Sequence, residues 1–149
     1  MLFRSVDGES QTRSFELKVN PNEKYTREET DAKAKFWMNL YAKAEESIQS
    51  VLAAKAAQEQ VAKVLKKGGS EALKAQGTVV DKLAQDYIAS MVATGATLVQ
   101  IISEKTKPLS KLVTLHNILE HTEGPPNQGV REVYAKVSAE MNEYRSAFE

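Results

Sequence analysis

The chain contains no cysteine. That excludes a disulfide framework and thiolate chemistry, while leaving the compartment open. Prolines number 4 and glycines 7 in 149 residues, and none of either falls between Pro21 and Gly68. A charge excess is also missing, because 20 Lys and Arg balance 20 Asp and Glu. Without a net field nothing steers the chain toward nucleic acid or an anionic membrane. The clusters Lys66-Lys67 and Lys105 to Lys111 are short and are explained as solvated helix ends. Long apolar runs are lacking too. The most apolar stretch, Tyr87 to Ile102, is broken by Ser90, Thr94, Gly95, Thr97 and Gln100. A membrane span needs roughly 20 mostly apolar residues, so this segment reads as a buried helix. No apolar core follows a basic start at the N-terminus, so no signal peptide is expected in this chain.

What is present is an apolar fraction of 42% with 27% charged residues, the balance of a folded domain. The opening thirty residues run a β-hairpin pattern into a long helical one. Leu2 to Val6 and Ser14 to Val19 alternate apolar and polar, and Asp7-Gly8 between them is a hairpin turn signal. No later segment reads as a strand. Two strands alone are marginal in water. Residues 1–22 are therefore expected to complete a sheet outside this chain, in a protein partner or in missing N-terminal domains, and residues 23–149 to form a helical bundle.

Asn20-Pro21-Asn22 ends the hairpin, since proline lacks the N–H that a ladder requires. Thr26-Arg27-Glu28-Glu29 fits a capping box. Trp37, Tyr41, Ala44, Ile48 and Val51 then recur at helical spacing up to the stop at Gly68-Gly69. Ser70 can cap a second helix whose buried stripe is Val80, Ala84, Tyr87, Met91, Leu98 and Ile101. Gly77 and Gly95 within it call for close packing or a local break. Pro108 marks the next boundary. Leu109, Leu112, Val113, Leu115, Ile118 and Leu119 form a short third helix. After the loop Glu123-Gly124-Pro125-Pro126, a fourth carries Val130, Val133, Val137, Met141, Tyr144 and Phe148 on one face. The expected fold is mainly α: an N-terminal β-hairpin followed by an antiparallel up-and-down bundle of two long and two shorter helices.

Chemistry-bearing patterns are sparse. His116 and His121 sit about 140° apart around a helix, by its 3.6-residue turn, and do not converge on one metal. No Glu-x-x-His occurs, which removes the di-iron bundle reading. A phosphate loop, a nucleophile triad in motif context and a cysteine zinc site are all missing from the sequence. Trp37, Tyr41, Tyr87 and Tyr134 are expected mostly buried between helices; a ligand-stacking platform is the alternative use of the first three. No catalytic, cofactor-binding or metal residue is expected, and the chain is read as non-enzymatic.

Several segments carry a family likeness. Ser5-Val6-Asp7-Gly8-Glu9 and Phe15-Glu16-Leu17-Lys18-Val19-Asn20-Pro21 are joined by Leu98-Val99-Gln100, Leu109 to Leu119, Gly124-Pro125-Pro126-Asn127-Gln128 and Arg131 to Glu140. Together they resemble the C-terminal region of large bacterial secreted proteins carrying BNR or sortilin-like β-propellers, often labelled glycosyl hydrolases. The resemblance implies an extracellular or periplasmic setting and a non-catalytic helical module for packing or assembly. The propeller, which would hold any catalytic acid, is not in this chain, so no active-site residue carries over. The alternative is a self-standing helical adaptor that docks a protein partner through its hairpin edge and aromatic stripe. A small enzyme has the least support.

Overall fold

The computed structural model describes residues 2–6, 9–16, 18, 22, 24–93 and 106–149. Its element order is β1 (Leu2–Val6), β2 (Glu9–Arg13), α1 (Arg27–Lys66), α2 (Glu71–Met91), α3 (Pro108–His121) and α4 (Gln128–Phe148). The molecule is mainly α-helical, with an antiparallel hairpin ahead of a helical bundle.

The hairpin closes earlier than the alternation of residues 14–19 suggests. Val6 pairs with Glu9 and Leu2 with Arg13, so the second strand is Glu9–Arg13. A two-residue connection fixes register more tightly than a longer loop would, and it overrides a better apolar alternation further on. Ser14, Phe15 and Glu16 carry no strand, and Phe15 is exposed. Asp7, Gly8, Leu17, Val19, Asn20 and Pro21 lie outside the described residues. Among those described, the two strands pair only with each other, and neither packs on a helix.

The first helix begins at the expected box. Thr26 Oγ1 accepts from Glu29 N at 3.2 Å, and the Glu29 carboxylate accepts from Thr26 N at 2.8 Å. It runs 40 residues and ends where Gly68 takes φ +82°, a left-handed cap that suits glycine. Ser70 Oγ accepts from Leu73 N and starts α2. Asn127 does the same for α4 through Val130 N, directly after the Pro125-Pro126 loop.

Packing partners give the topology. Ser50 pairs with Tyr87, Gln58 with Asp81, and Gly77 lies against Val61 and Leu65, so α2 runs antiparallel to the distal half of α1. Tyr41 meets His116 and Lys33 meets Thr122, so α3 is antiparallel to the proximal half. Tyr134 donates to Asn39 O and Lys43 to Asn142, so α4 runs parallel to α1 and antiparallel to α3. α2 and α3 thus lie in the same sense, one after the other along α1. α2 stops at Met91, with Val92 extended; a second helix as long as the first is not formed. Gly95, Leu98 and Ile101 fall outside the described residues.

The core gathers Leu40, Val51, Ala54, Ala84, Tyr87, Ile88, Met91, Leu112, Leu115, Leu119, Val137 and Met141. On α1 the buried residues are Leu40, Ser47, Val51 and Ala54; of the expected stripe Val51 is buried and Ala44 packs against the core, while the rest of the stripe is rotated outward. Tyr41 and Ile48 are exposed. The helix is enclosed on two sides by α3 and α4, and the stripe that counts is the one between them. Val80, Ile118 and Val133, also assigned to the core, lie 40%, 41% and 43% exposed at its margins. Gly77 supports close packing: a Cβ there would sit 3.2 Å from Val61 and Leu65 side chains.

Two outcomes test this packing. Leu112 is fully enclosed, so Leu112→Ala should cost about 2–5 kcal/mol by thermal or urea unfolding. Glu46 is held below its ordinary carboxyl value, first by the hydrogen bond from Lys43 and further by Arg145, against the opposing effect of burial. A lowered folded-state value adds stability above the unfolded value of 4.5 and loses it as pH falls through the folded one. Wild type should therefore lose more stability on acidification below about pH 5 than Glu46→Gln does, read from urea midpoints at stepped pH.

Candidate functional site

Polar and aromatic chemistry collects along the α1–α3 seam. Trp37 and Tyr41 are one helical turn apart, and His116 reaches across from α3. The His116 ring stands edge-on to both, with centroids 5.3 Å away in each case. Tyr41 Oη and His116 Nε2 share a hydrogen bond of 2.7 Å, and His116 Nδ1 faces Asn117 Oδ1 at 3.4 Å. Lys33 lies over the Trp37 ring at 5.9 Å and donates from Nζ to Thr122 O at the end of α3. Trp37 Nε1 is buried and has no hydrogen-bond partner among the described residues. This seam locks α3 to α1 by one lysine, one imidazole and two aromatic faces. Histidine has a docking role here, which its spacing to other ligand types could not reveal. His121 is exposed and takes no part.

The four aromatics have different surroundings. Tyr87 is buried, stacked on Phe148 with centroids 4.9 Å apart and bonded to Ser50. Trp37 and Tyr134 are half-buried, Tyr134 packing edge-on against Phe36 at 5.1 Å. Tyr41 is 51% exposed, which corrects the expectation that it is buried. It lies beyond the α3 edge of the core line with its ring against His116.

Among the clefts, two bring lysine and carboxylate side chains together. One, about 470 Å³, is lined by Asn22, Lys24, Tyr25, Thr30, Lys33, Glu123 and Gly124. Gly124 has φ +79°, and a Cβ there would fall 2.3 Å from the Tyr25 ring, so this loop can seat Tyr25 only with glycine. The cleft has one carboxylate, where glycoside or ester chemistry by acid and base needs two groups. The second, about 520 Å³, brings Asp86 and Glu140 together with Lys107 and Tyr144. Both acids are already engaged, Asp86 by Lys82 at 2.7 Å and Glu140 by Lys111 at 3.0 Å. The Tyr144 phenol donates to Glu140 at 3.1 Å, and that bond holds it above its usual range, so Tyr144 stays a donor. A division of labour needs two carboxylates in contrasting environments, and here each has a lysine. Among the described residues no three His, Asp or Glu side chains converge on a metal position. No described helix is long and apolar enough to cross a membrane.

The chain matches no protein-family model, no curated protein and no solved structure.

The seam separates structural from ligand use by one measurement. Trp37→Ala should lower stability by about 3 kcal/mol. Tyr41→Phe should cost less than about 1 kcal/mol, since its hydroxyl is solvent-exposed and can bond water. Melting curves of the two variants check this, and an unchanged melting temperature for Trp37→Ala would count for the platform instead.

Proposed function

We propose that the chain is a non-catalytic helical module for packing and assembly, the C-terminal part or a subunit of a larger extracellular propeller protein or complex. One observation carries the reading. The hairpin Leu2–Arg13 stands ahead of the bundle with no described strand or helix packed against it. A lone two-stranded ribbon is marginal in water, and its unpaired edges are templates for a neighbouring strand. A sheet supplied by preceding domains, or by a partner protein, satisfies those edges. The resemblance of Val6-Asp7-Gly8 and Phe15 to Pro21 to the hairpin and extended run that follow BNR propellers favours the first source, and with it an extracellular or periplasmic setting. The engaged state of Asp86 and Glu140 supports the non-catalytic half of the reading.

A self-standing adaptor is the second reading, favoured by the exposed Tyr41 beside His116. The two separate on the size of the source polypeptide. An antibody raised against residues 24–149 should detect, in the source cells, a polypeptide much larger than the chain's 16.5 kDa. A single band at that mass would overturn the parent-domain reading and leave the adaptor. Purified chain should also match the no-enzyme blank on a panel of glycosides and esters; turnover abolished by Glu140→Gln or Asp86→Asn would overturn the non-catalytic reading.

A further inference from the structure

Away from the core, α1 carries a second regular stripe. Met38, Tyr41, Glu45, Ile48 and Leu52 follow one another at alternating steps of three and four, and the steps continue through Lys55 and Glu59 to Ala62. That is the spacing of a coiled-coil seam, whose positions recur every 3.5 residues. All of these residues are exposed, Met38 at 69%, Leu52 at 51% and Ile48 at 44%. Leu40, Ser47 and Ala54, which face the core, lie around the helix from them. Glu45, Lys55 and Glu59 interrupt the apolar run, and their side chains have no ion pair or hydrogen bond among the described residues. The neighbouring charges Lys43, Glu46 and Arg145 pair with one another on the α4 side and take no part in the stripe.

The order of residues in this stripe is complementary to its own reverse. Glu45 and Lys55 stand equally far before and after position 50, and so do Ile48 and Leu52. We infer that the outer face of α1 docks a second copy of this chain antiparallel, about a twofold axis that crosses the helix at position 50. Ile48 then meets Leu52 of the second copy, and Glu45 meets Lys55 of the second copy. Further out, Tyr41 meets the stem of Glu59 and Met38 meets Ala62. A twofold contact uses one patch on both copies, so each pairing is made twice. A parallel seam sets Glu45 against Glu45 and Lys55 against Lys55, so the same charges disfavour it. In the flanks Ala42 comes opposite Ala56 and Gln49 opposite Gln49, all small or neutral and exposed. The one like-charged approach there, Lys35 to Lys63, falls at the two ends of the seam, where both side chains reach water. The seam is about 36 Å long, from Met38 to Ala62 at 1.5 Å per residue. With charged layers interleaved among apolar ones, the dimer belongs at the weak end of specific interfaces.

This inference rests on the assembly-module reading and names one partner for it. Sedimentation equilibrium of the full chain from about 1 to 500 µM spans the affinity expected of such a contact. The expected mass rises with concentration from 16.5 kDa toward twice that value. Ile48→Glu/Leu52→Glu should stay monomeric throughout, with its helical circular dichroism unchanged because both side chains are exposed. Glu45→Lys and Lys55→Glu should each weaken the dimer several-fold, since each sets like charges face to face. Combining the two restores opposite charges in every pair, so the combined variant should dimerise as wild type does. Carbodiimide should join Glu45 to Lys55; the two are about 15 Å apart along one helix, so a zero-length link forms only between copies. A monomer at every concentration overturns the inference, as does a dimer untouched by Ile48→Glu/Leu52→Glu. A combined charge variant no better than the single ones overturns the antiparallel register. The size of the source polypeptide is read separately, so failure here is distinguishable from failure of the parent-domain reading.

Discussion

Everything in the bundle is arranged on one uninterrupted helix of 40 residues. Helix propensity alone does not hold such a length straight in water; an apolar face must be buried along it. No other helix among the described residues is long enough to do so. α2 serves the distal half and α3 the proximal half, placed one after the other in the same direction, while α4 lies across the region where they meet. The sharing of α1 explains why the densest core, Leu40, Val51, Met91, Leu112, Val137 and Met141, forms near its middle. All four helices contribute there.

The same arrangement makes the two ends unlike each other. Near the proximal end, α1 has α3 and α4 on either side, and the gap between helices is filled by Trp37, His116, Phe36 and Tyr134. Toward the tip, α2 alone among the described helices lies beside α1. The seam there is made by small and polar groups, Gly77 against Val61 and Leu65, and Gln58 bonded to Asp81 at 3.0 Å. Such a seam brings the two backbones close together.

Element ends were legible before the structure wherever a side chain satisfies backbone groups locally. Thr26 with Glu29, Ser70 and Gly68 act within a few residues of themselves, and nothing distant can override them. What needed three dimensions was the choice among adjacent faces. Trp37, Tyr41 and Ile48 are as periodic as Leu40, Ser47 and Ala54, with Val51 of the expected stripe buried as well, and only the placement of α3 and α4 decides which line is inside. Ser47 was illegible as core because its hydroxyl is satisfied internally, donating to Lys43 O at 2.7 Å, which removes the cost of burying it. His116 was legible as a non-ligand but not as a partner for Tyr41, since that contact spans 75 residues of chain. The second strand was misplaced because its residues, Glu9 to Arg13, have no apolar alternation and are held by the register from the turn.

Two kinds of unfinished surface then bear on what the molecule is for. Among the described residues the hairpin has no further neighbour for its backbone hydrogen bonds, and the distal face has no cover for its side chains. These are different physical demands. A strand edge selects another extended backbone with little regard for side chains. An apolar helix face selects by the shape of the side chains that meet it. The chain enters α1 from the hairpin, and the Gly68 turn lies at the opposite end of that helix, about 60 Å away by helix rise. A partner on the hairpin and a partner on the distal face therefore need not compete. Under the proposed assembly role, a 40-residue helix would space a partner at the hairpin from the far end of the bundle.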